Sequence, residues 1–305
     1  MDPTMPHDAI IIGGSYAGLN AAMQLARARR RVLVIDDNRP RNRFAAHAHG
    51  VMGRDGMPGS EIAAEARAQV AAYPTAAFRR GEVVSVQSGA CGFSVNLADG
   101  GLVTGRRVLL AHGVQDILPD LPGVKERWGR TVLHCPYCHG YEIGGGPIGV
   151  LGASPMSVHQ AVMVAEWGQV VLFLNDKLEP DAEQARMLER RGVIVEATPV
   201  ATLEGEGAGL DGARLADGRL IPLKAVFVGP RLRLNGDLAQ AMGCEIQETP
   251  LGEMIRTDDL KQTTVPGVFA AGDAARMMSN VTLAAADGVM AGIGLHRSLI
   301  EEDAA

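Results

Sequence analysis

The chain has 305 residues, 47% of them hydrophobic, and its 29 basic and 35 acidic side chains leave a net charge of −6. That length suits two domains of ordinary size, and with no basic cluster beyond Arg27–Arg31, which reads as a helix-end cap, nothing favours a nucleic-acid partner. Four cysteines, two of them isolated, do not make a secreted disulfide framework; the short polar N-terminus and the lack of a long apolar run make a soluble cytoplasmic protein the expectation.

Ala9 to Ile12 is a short apolar run of the kind that forms a buried parallel strand. Gly13-Gly14-Ser15-Tyr16-Ala17-Gly18 follows, and then Leu19, Ala22, Met23 and Ala26 recur at helical spacing. Val32 to Ile35 reads as a second strand and ends at Asp36. A strand, a glycine turn, a helix and a strand closed by an acid form the dinucleotide-binding fingerprint. Gly13 permits the tight turn and Gly18 a close helix–strand contact. Free N–H groups at the helix start receive a pyrophosphate, and Asp36 accepts hydrogen bonds from ribose hydroxyls. Ser15 stands where the middle glycine is usual; its small hydroxyl fits. Gly13, Ser15, Ala17, Gly18 and Asp36 are therefore candidate cofactor residues.

Arg39 to His49 reads as a polar loop carrying Arg41, Phe44, His47 and His49. A helix is expected from about Ser60 to Ala72, strands over Gly81–Val86, Phe93–Leu97 and Val108–Ala111, and a linker around Pro119 and Pro122. Pro147–Leu151, the turn Gly152-Ala153-Ser154-Pro155-Met156-Ser157, a helix with Val158, Ala161, Val162 and Ala165 on one face, and Val170–Leu174 repeat the first unit. The chemistry repeats less well. Ser154 replaces a glycine, and Pro155 removes an N–H from the turn. After the second strand comes Asn175-Asp176-Lys177, with no arginine pair to grip a 2′-phosphate. The shape is that of a dinucleotide domain with a degenerate NADPH site; NADH binding through Asp176 stays open. The chain closes with Val265–Asp273, a strand stopping at Gly272-Asp273, and a helix expected to bury Thr282, Ala285, Ala286 and Val289, with Gly288 for close approach.

Between the two units lies Cys135-Pro136-Tyr137-Cys138-His139-Gly140-Tyr141-Glu142. Two cysteines so spaced can close a small disulfide, and the loop lowers one thiol's pKa. Half of a zinc site is the competing reading, but zinc needs four ligands, and Cys91 and Cys244 are distant with no second pair. Both of those thiols, like Trp128 and Trp167, read as packing residues.

In this order, the first glycine turn, Ala111-His112-Gly113, the Cys-x-x-Cys, the second nucleotide unit and the terminal Gly-Val-Phe-Ala-Ala-Gly-Asp resemble the thioredoxin-reductase-like flavoproteins. The resemblance implies an α/β fold of two Rossmann-like, three-layer nucleotide-binding domains, the second inserted into the first. An FAD domain would comprise 1–118 and 246–305, and a pyridine-nucleotide-type domain carrying the cysteine pair 119–245. A homodimer is also implied. His139 stands where the reductases carry Asp. With the eroded second turn, Arg41-Asn42-Arg43-Phe44 and the Cys-Pro-Tyr-Cys-His-Gly-Tyr-Glu wording, this resembles the branch of dithiol oxidases that close disulfides in small natural products such as gliotoxin and holomycin and pass electrons through FAD to O2. That branch implies Cys135 as the exchanging thiol, Cys138 nearest the flavin, and His139 as base with Glu142 in support. It further implies FAD contacts from Gly113, Gly272 and Asp273, adenine against the backbone at Val84, weaker candidates in Arg41, Phe44 and His49, and Asn280 and Val281 near the isoalloxazine. The alternatives are an NAD(P)H-dependent disulfide reductase and a flavin-bound redox sensor.

Overall fold

A computed structural model describes residues 6–89 and 92–305; the Cys91 expectation and the first five residues of the N-terminal one lie outside the described residues. The chain forms two compact units. One contains the described residues of 6–43, 58–115 and 232–305, the other residues 44–57 and 116–231.

The first unit is built on β1 (His7–Ile12), α1 (Tyr16–Arg27), β2 (Val32–Asp36), α2 (Gly59–Ala71), β3 (Ala76–Arg80), β4 (Val83–Gly89), β5 (Gly92–Leu97) and β6 (Leu102–Leu110). Its main sheet runs β3-β2-β1-β6-β5-β4. β1, β2, β3 and β6 are parallel, and β1 and β2 are almost wholly buried, as their unbroken apolar runs require. β6 is longer than the sequence pattern suggests because it serves two partners along one edge. Its first half pairs antiparallel with β5, and its second half parallel with the strand Val268–Ala270. The chain's return near its C-terminus therefore lands on the central strand, level with the end of β1.

The last helix, Val281–Asp303, is present, but its buried face differs from the expected one. Ala284, Asp287, Gly288, Ala291, Gly292, Leu295 and Leu299 are buried, while Thr282 and Ala286 face solvent. The reason is proximity to α1: a Cβ on Gly288 would fall on the Ala17 carbonyl oxygen, and one on Gly292 would lie 2.9 Å from that of Ala21. Gly288 makes the close approach expected of it, while the face around it is the one carrying Ala284, Ala291 and Leu295.

The second unit has a five-stranded parallel sheet, in the order Ile194–Glu196, Gln169–Phe173, Pro147–Leu151, Ala225–Phe227, Val132–Leu133. The helix Met156–Val164 crosses between the two central strands and buries Val158, Ala161 and Val164. Three antiparallel strands, Val200–Glu204, Gly212–Leu215 and Leu220–Pro222, were not legible in the sequence. Each unit has its own core: Ile10, Val108 and Phe269 lie in clusters of the first, Val150, Phe173 and Phe227 in clusters of the second. Among the described residues no helix is long and apolar enough to cross a membrane.

Helix propensity favours Ala over Gly by about 1 kcal/mol in a helix interior, yet Gly288→Ala is expected to destabilise the protein, because its methyl would displace the α1 backbone. A thermal midpoint at or above that of the unmodified protein would show that the two helices can part at no cost.

Candidate functional site

In the first unit, β1 ends in a turn shaped by its neighbours. Gly13 has φ +108, and a Cβ there would fall on the Ala111 carbonyl oxygen at the end of β6. A Cβ on Gly18 would strike the Gly13 carbonyl oxygen and approach Ile11. Both glycines are thus fixed by sterics, as the fingerprint requires. Asp36 ends β2 beside this turn, since a Cβ on Gly14 would lie 3.0 Å from its Oδ2. Ser15 is the N-cap of α1 but its side chain makes no capping hydrogen bond. Ala17 is buried in the first turn of α1.

The chain's return brings two further candidates together. Arg41 donates to Asp273 Oδ2 at 2.9 Å, with both side chains largely buried. Beside them Asn42 donates to the Tyr16 hydroxyl, which donates to the Gly59 carbonyl, so the Arg41–Phe44 turn is tied to the start of α1. Gly272 takes φ +72, and its N–H donates to buried Asp287, which also pairs with Lys261 Nζ at 3.0 Å and an Arg276 guanidinium nitrogen at 3.1 Å. Arg276 in turn donates to the carbonyls of Met278 and Leu283, fixing the segment that leads to Asn280. Asn280 caps the last helix by accepting from Leu283 N–H at 2.7 Å, and Val281 begins that helix. Val84 is 54% exposed and sits at a register shift between β4 and β5, where its backbone is out of the ladder. Gly113 follows β6 with φ +70, and its carbonyl accepts from Asn235 N–H.

Sequence reading missed Lys261, Arg276 and Asp287, whose partners meet only in the fold. His112 lies in the Ala111-His112-Gly113 segment, where no local signal assigns its side chain a role. Both His112 ring nitrogens are buried with no hydrogen-bond partner, and burial pushes its pKa down to about 4. The hydroxyl of Ser279 is buried and unpartnered as well.

In the second unit Cys135 and Cys138 form a disulfide with Cα atoms 5.3 Å apart. Cys135 caps the single turn Pro136–His139, and Pro136, lacking an N–H, starts it without leaving a donor unmet. His139 is held below the ordinary histidine value by burial, and His49 adds to this, while the Glu142 carboxylate opposes it. The ring is therefore neutral near pH 7 and able to accept a proton. Glu142 Oε1 lies 3.3 Å from His49 Nδ1. Phe44 and His49, grouped with the FAD residues in the sequence reading, belong to this second unit, where the Phe44 carbonyl accepts from Arg130. Tyr137, between the two cysteines, and Tyr141, three residues after the second, are 73% and 85% exposed. Trp167 meets Tyr137 edge to face, and Trp128 is buried in the core. In the first unit Cys244 is a buried thiol, its pKa raised by burial.

The second nucleotide turn differs from the first. Ser157 is buried, and its Oγ accepts from the N–H groups of Ala153 and Ser154 at 3.1 and 3.3 Å. Asn175 accepts from Val200 N–H, so its side chain is also engaged.

Residues 7–288 match the model of the pyridine nucleotide-disulphide oxidoreductase family. The chain belongs to that family. Over 297 residues it is 33% identical to thioredoxin reductase tcpT of Claviceps purpurea, covering 93% of this chain and 92% of the relative. Thioredoxin reductase sirT of Leptosphaeria maculans is 31% identical, with 98% and 96% covered. Among solved structures, an oxidoreductase from Agrobacterium tumefaciens superposes with a TM-score of 0.93 at 48% identity, covering 97% of this chain and 99% of that one. The structure of HlmI gives 0.92 at 41% identity, with 98% and 94% covered. The protein is a thioredoxin-reductase-like oxidoreductase of Rossmann type acting on thiols and disulfides, and the family implies bound FAD. The first unit fits that cofactor. Its glycine cradle has no room for a Cβ, the α1 cap leaves first-turn N–H groups without a side-chain acceptor, and His112 and Ser279 hold buried polar atoms that the protein does not satisfy.

Removing the Glu142 charge takes away the one interaction that raises His139. In Glu142→Gln the His139 ring should titrate at lower pH than in the unmodified protein, as followed by NMR; an unchanged titration would mean that the carboxylate does not act on this ring.

Proposed function

We propose that the chain is an FAD-dependent dithiol oxidase that closes an intramolecular disulfide in a small dithiol, in keeping with a role in natural-product biosynthesis. The observation that carries this reading is the second nucleotide turn. Its Ala153 and Ser154 N–H groups, which would meet a pyrophosphate, already donate to Ser157, and Pro155 has none to offer. A turn satisfied internally has little to offer NADPH, so the electrons that reach Cys135–Cys138 come from the substrate.

His139, neutral and next to the pair, accepts the proton of a substrate thiol; an ordinary thiol near pKa ~8.5 is mostly protonated at pH 7. The resulting thiolate attacks Cys135 Sγ, the Cys135–Cys138 bond breaks, and Cys138 leaves as thiolate. The substrate's second thiolate attacks its own first sulfur, the mixed disulfide breaks, and a cyclic disulfide departs from Cys135. Two electrons now rest on the cysteine pair, and the two substrate protons have passed to the enzyme. Bound FAD supplies an acceptor for that electron pair and a donor to O2, which with the two protons becomes H2O2. Over the cycle one dithiol and one O2 give one cyclic disulfide and one H2O2. Glu142 supports His139 by raising its basicity, and exposed Tyr137 and Tyr141 form walls for the substrate. In the same reading FAD is held by Gly13, Ser15, Ala17, Gly18, Asp36, Arg41, Gly113, Gly272 and Asp273, with Val84, Asn280 and Val281 at its two ends. The protein works as a cytoplasmic homodimer.

Anaerobic mixing separates this reading from its competitors. The flavin absorbance should bleach with a small dithiol such as dithiothreitol, resist NADPH and NADH, and recover in air with release of peroxide. Fast bleaching by NADPH would instead make the protein a disulfide reductase, and dithiol bleaching without catalytic peroxide a sensor. Cys138→Ser should keep its flavin but lose turnover by more than about a thousandfold, as expected when one member of a catalytic unit is removed; full activity would overturn the assigned roles.

A further inference from the structure

His112 stands at the C-terminal end of β6, where β6 lies between β1 and the returning strand Val268–Ala270. Its backbone N–H follows the Ala111 carbonyl that bounds Gly13. Its carbonyl accepts from Asn235 Nδ2 at 2.7 Å, which fixes the main chain here. The β1 connection goes out through α1 to β2 on one side, while β6 flanks β1 on the other. In open α/β sheets the crevice at such a reversal, outside the carboxyl ends of the strands, is where ligands bind. A buried polar group without a partner is expensive, and native proteins rarely keep one without cause. His112 keeps two.

The protonation state narrows what can satisfy it. A neutral imidazole has one N–H donor and one bare nitrogen acceptor. Phosphate oxygens only accept, so they match half of it. A run of hydroxyl groups offers both functions. Within FAD such hydroxyls occur on the adenosine ribose and on the ribityl chain, and Asp36 at the end of β2 already suits the ribose.

We propose that His112 is a binding residue for the ribityl hydroxyls of the flavin, donating from one ring nitrogen and accepting at the other. This rests on the assignment of FAD to the first unit and adds to it a residue whose side chain, not its backbone, reads the cofactor. The ring is kept neutral by its surroundings and recognises the polyol by hydrogen bonding rather than by charge.

The test measures FAD retention by the purified holoenzyme, from the flavin fluorescence released on dilution. His112→Leu should raise the FAD dissociation constant about tenfold, the equivalent of one to two net hydrogen bonds. His112→Gln, whose amide both donates and accepts, should stay within about threefold of the unmodified protein. As competitors for FAD rebinding, FMN carries the ribityl chain without adenosine, and ADP carries the ribose without the ribityl chain. His112→Leu should weaken competition by FMN and leave ADP unchanged. In the unmodified holoenzyme the His112 ring N–H, assigned by its disappearance from the spectrum of His112→Gln, should be protected from solvent exchange. Equal FAD retention in His112→Leu and the unmodified protein would overturn the proposal. So would equal losses in both variants, a loss confined to ADP, or an unprotected ring N–H. If His112→Leu does not fold, His112→Gln retention and the exchange measurement decide the matter. A colourless unmodified protein would remove the FAD assignment itself, an outcome separate from all of these.

Discussion

A backbone N–H at the start of a helix must find an acceptor, and the helix's own carbonyls cannot supply one. How that requirement is met at the two strand-to-helix turns of this protein governs most of what can be said of its chemistry. At the first turn Ser15 caps α1 without a side-chain bond, and the glycines on either side are pressed against neighbouring backbone. At the second turn Ser157, in the first turn of its helix, reaches back and accepts from the N–H groups of Ala153 and Ser154, just ahead of the cap Pro155. The two turns share a shape, a parallel strand running into a helix, but the cap of one makes no side-chain bond and the other has closed on its own hydroxyl. The proposed direction of electron flow follows from that asymmetry.

The rest of the first unit serves the first turn. The last helix comes so close to α1 that Gly288 and Gly292 leave no room for a Cβ, and Leu295 and Leu299 join α1 residues in one apolar cluster. Below the Gly272-Asp273 turn, Asp287 is buried with two cations and an N–H, so its charge is compensated. A buried carboxylate stripped of those partners would be strongly destabilising, and the Gly272–Asn280 segment would lose its anchor. Arg41 and Asp273, more than two hundred residues apart in sequence, form an ion pair because both chain segments follow the carboxyl ends of parallel strands in one sheet.

The second unit sets its cysteine pair in a different way. Pro136 starts a single helical turn after Cys135, the pair is joined as a disulfide, and His139 closes the turn, half-buried and neutral. The segment 44–57 is part of this unit and brings His49 to Glu142. Glu142 therefore acts on two imidazoles, and its influence on His139 cannot be considered apart from His49, whose charge when protonated works in the opposite sense.

Much of this was legible in the order of residues. Gly13, Gly18 and Asp36 could be assigned from a local pattern because each is required by contacts within one strand–turn–helix–strand unit, and the Cys-x-x-Cys because two thiols three positions apart are already within bonding reach. Residues whose partners are remote were not legible. No spacing rule joins Asp287 to Lys261 and Arg276, places His49 beside Glu142, or shows that Ser157 rather than a ligand satisfies the second turn. Gly288 was legible as a close approach, but the rest of the buried face of the last helix was not, because alanines stand on several sides of it and spacing does not say which of them meets α1. The sequence by itself thus showed the first strand–turn–helix–strand unit, its repeat and a cysteine pair able to close, since these depend on short-range geometry, while the order of its motifs pointed to the fold class by resemblance. The tertiary structure alone decided that Ser157 satisfies the second turn, that the His112 ring has no partner and that Glu142 also meets His49, because burial and hydrogen-bond satisfaction exist only once distant segments have met.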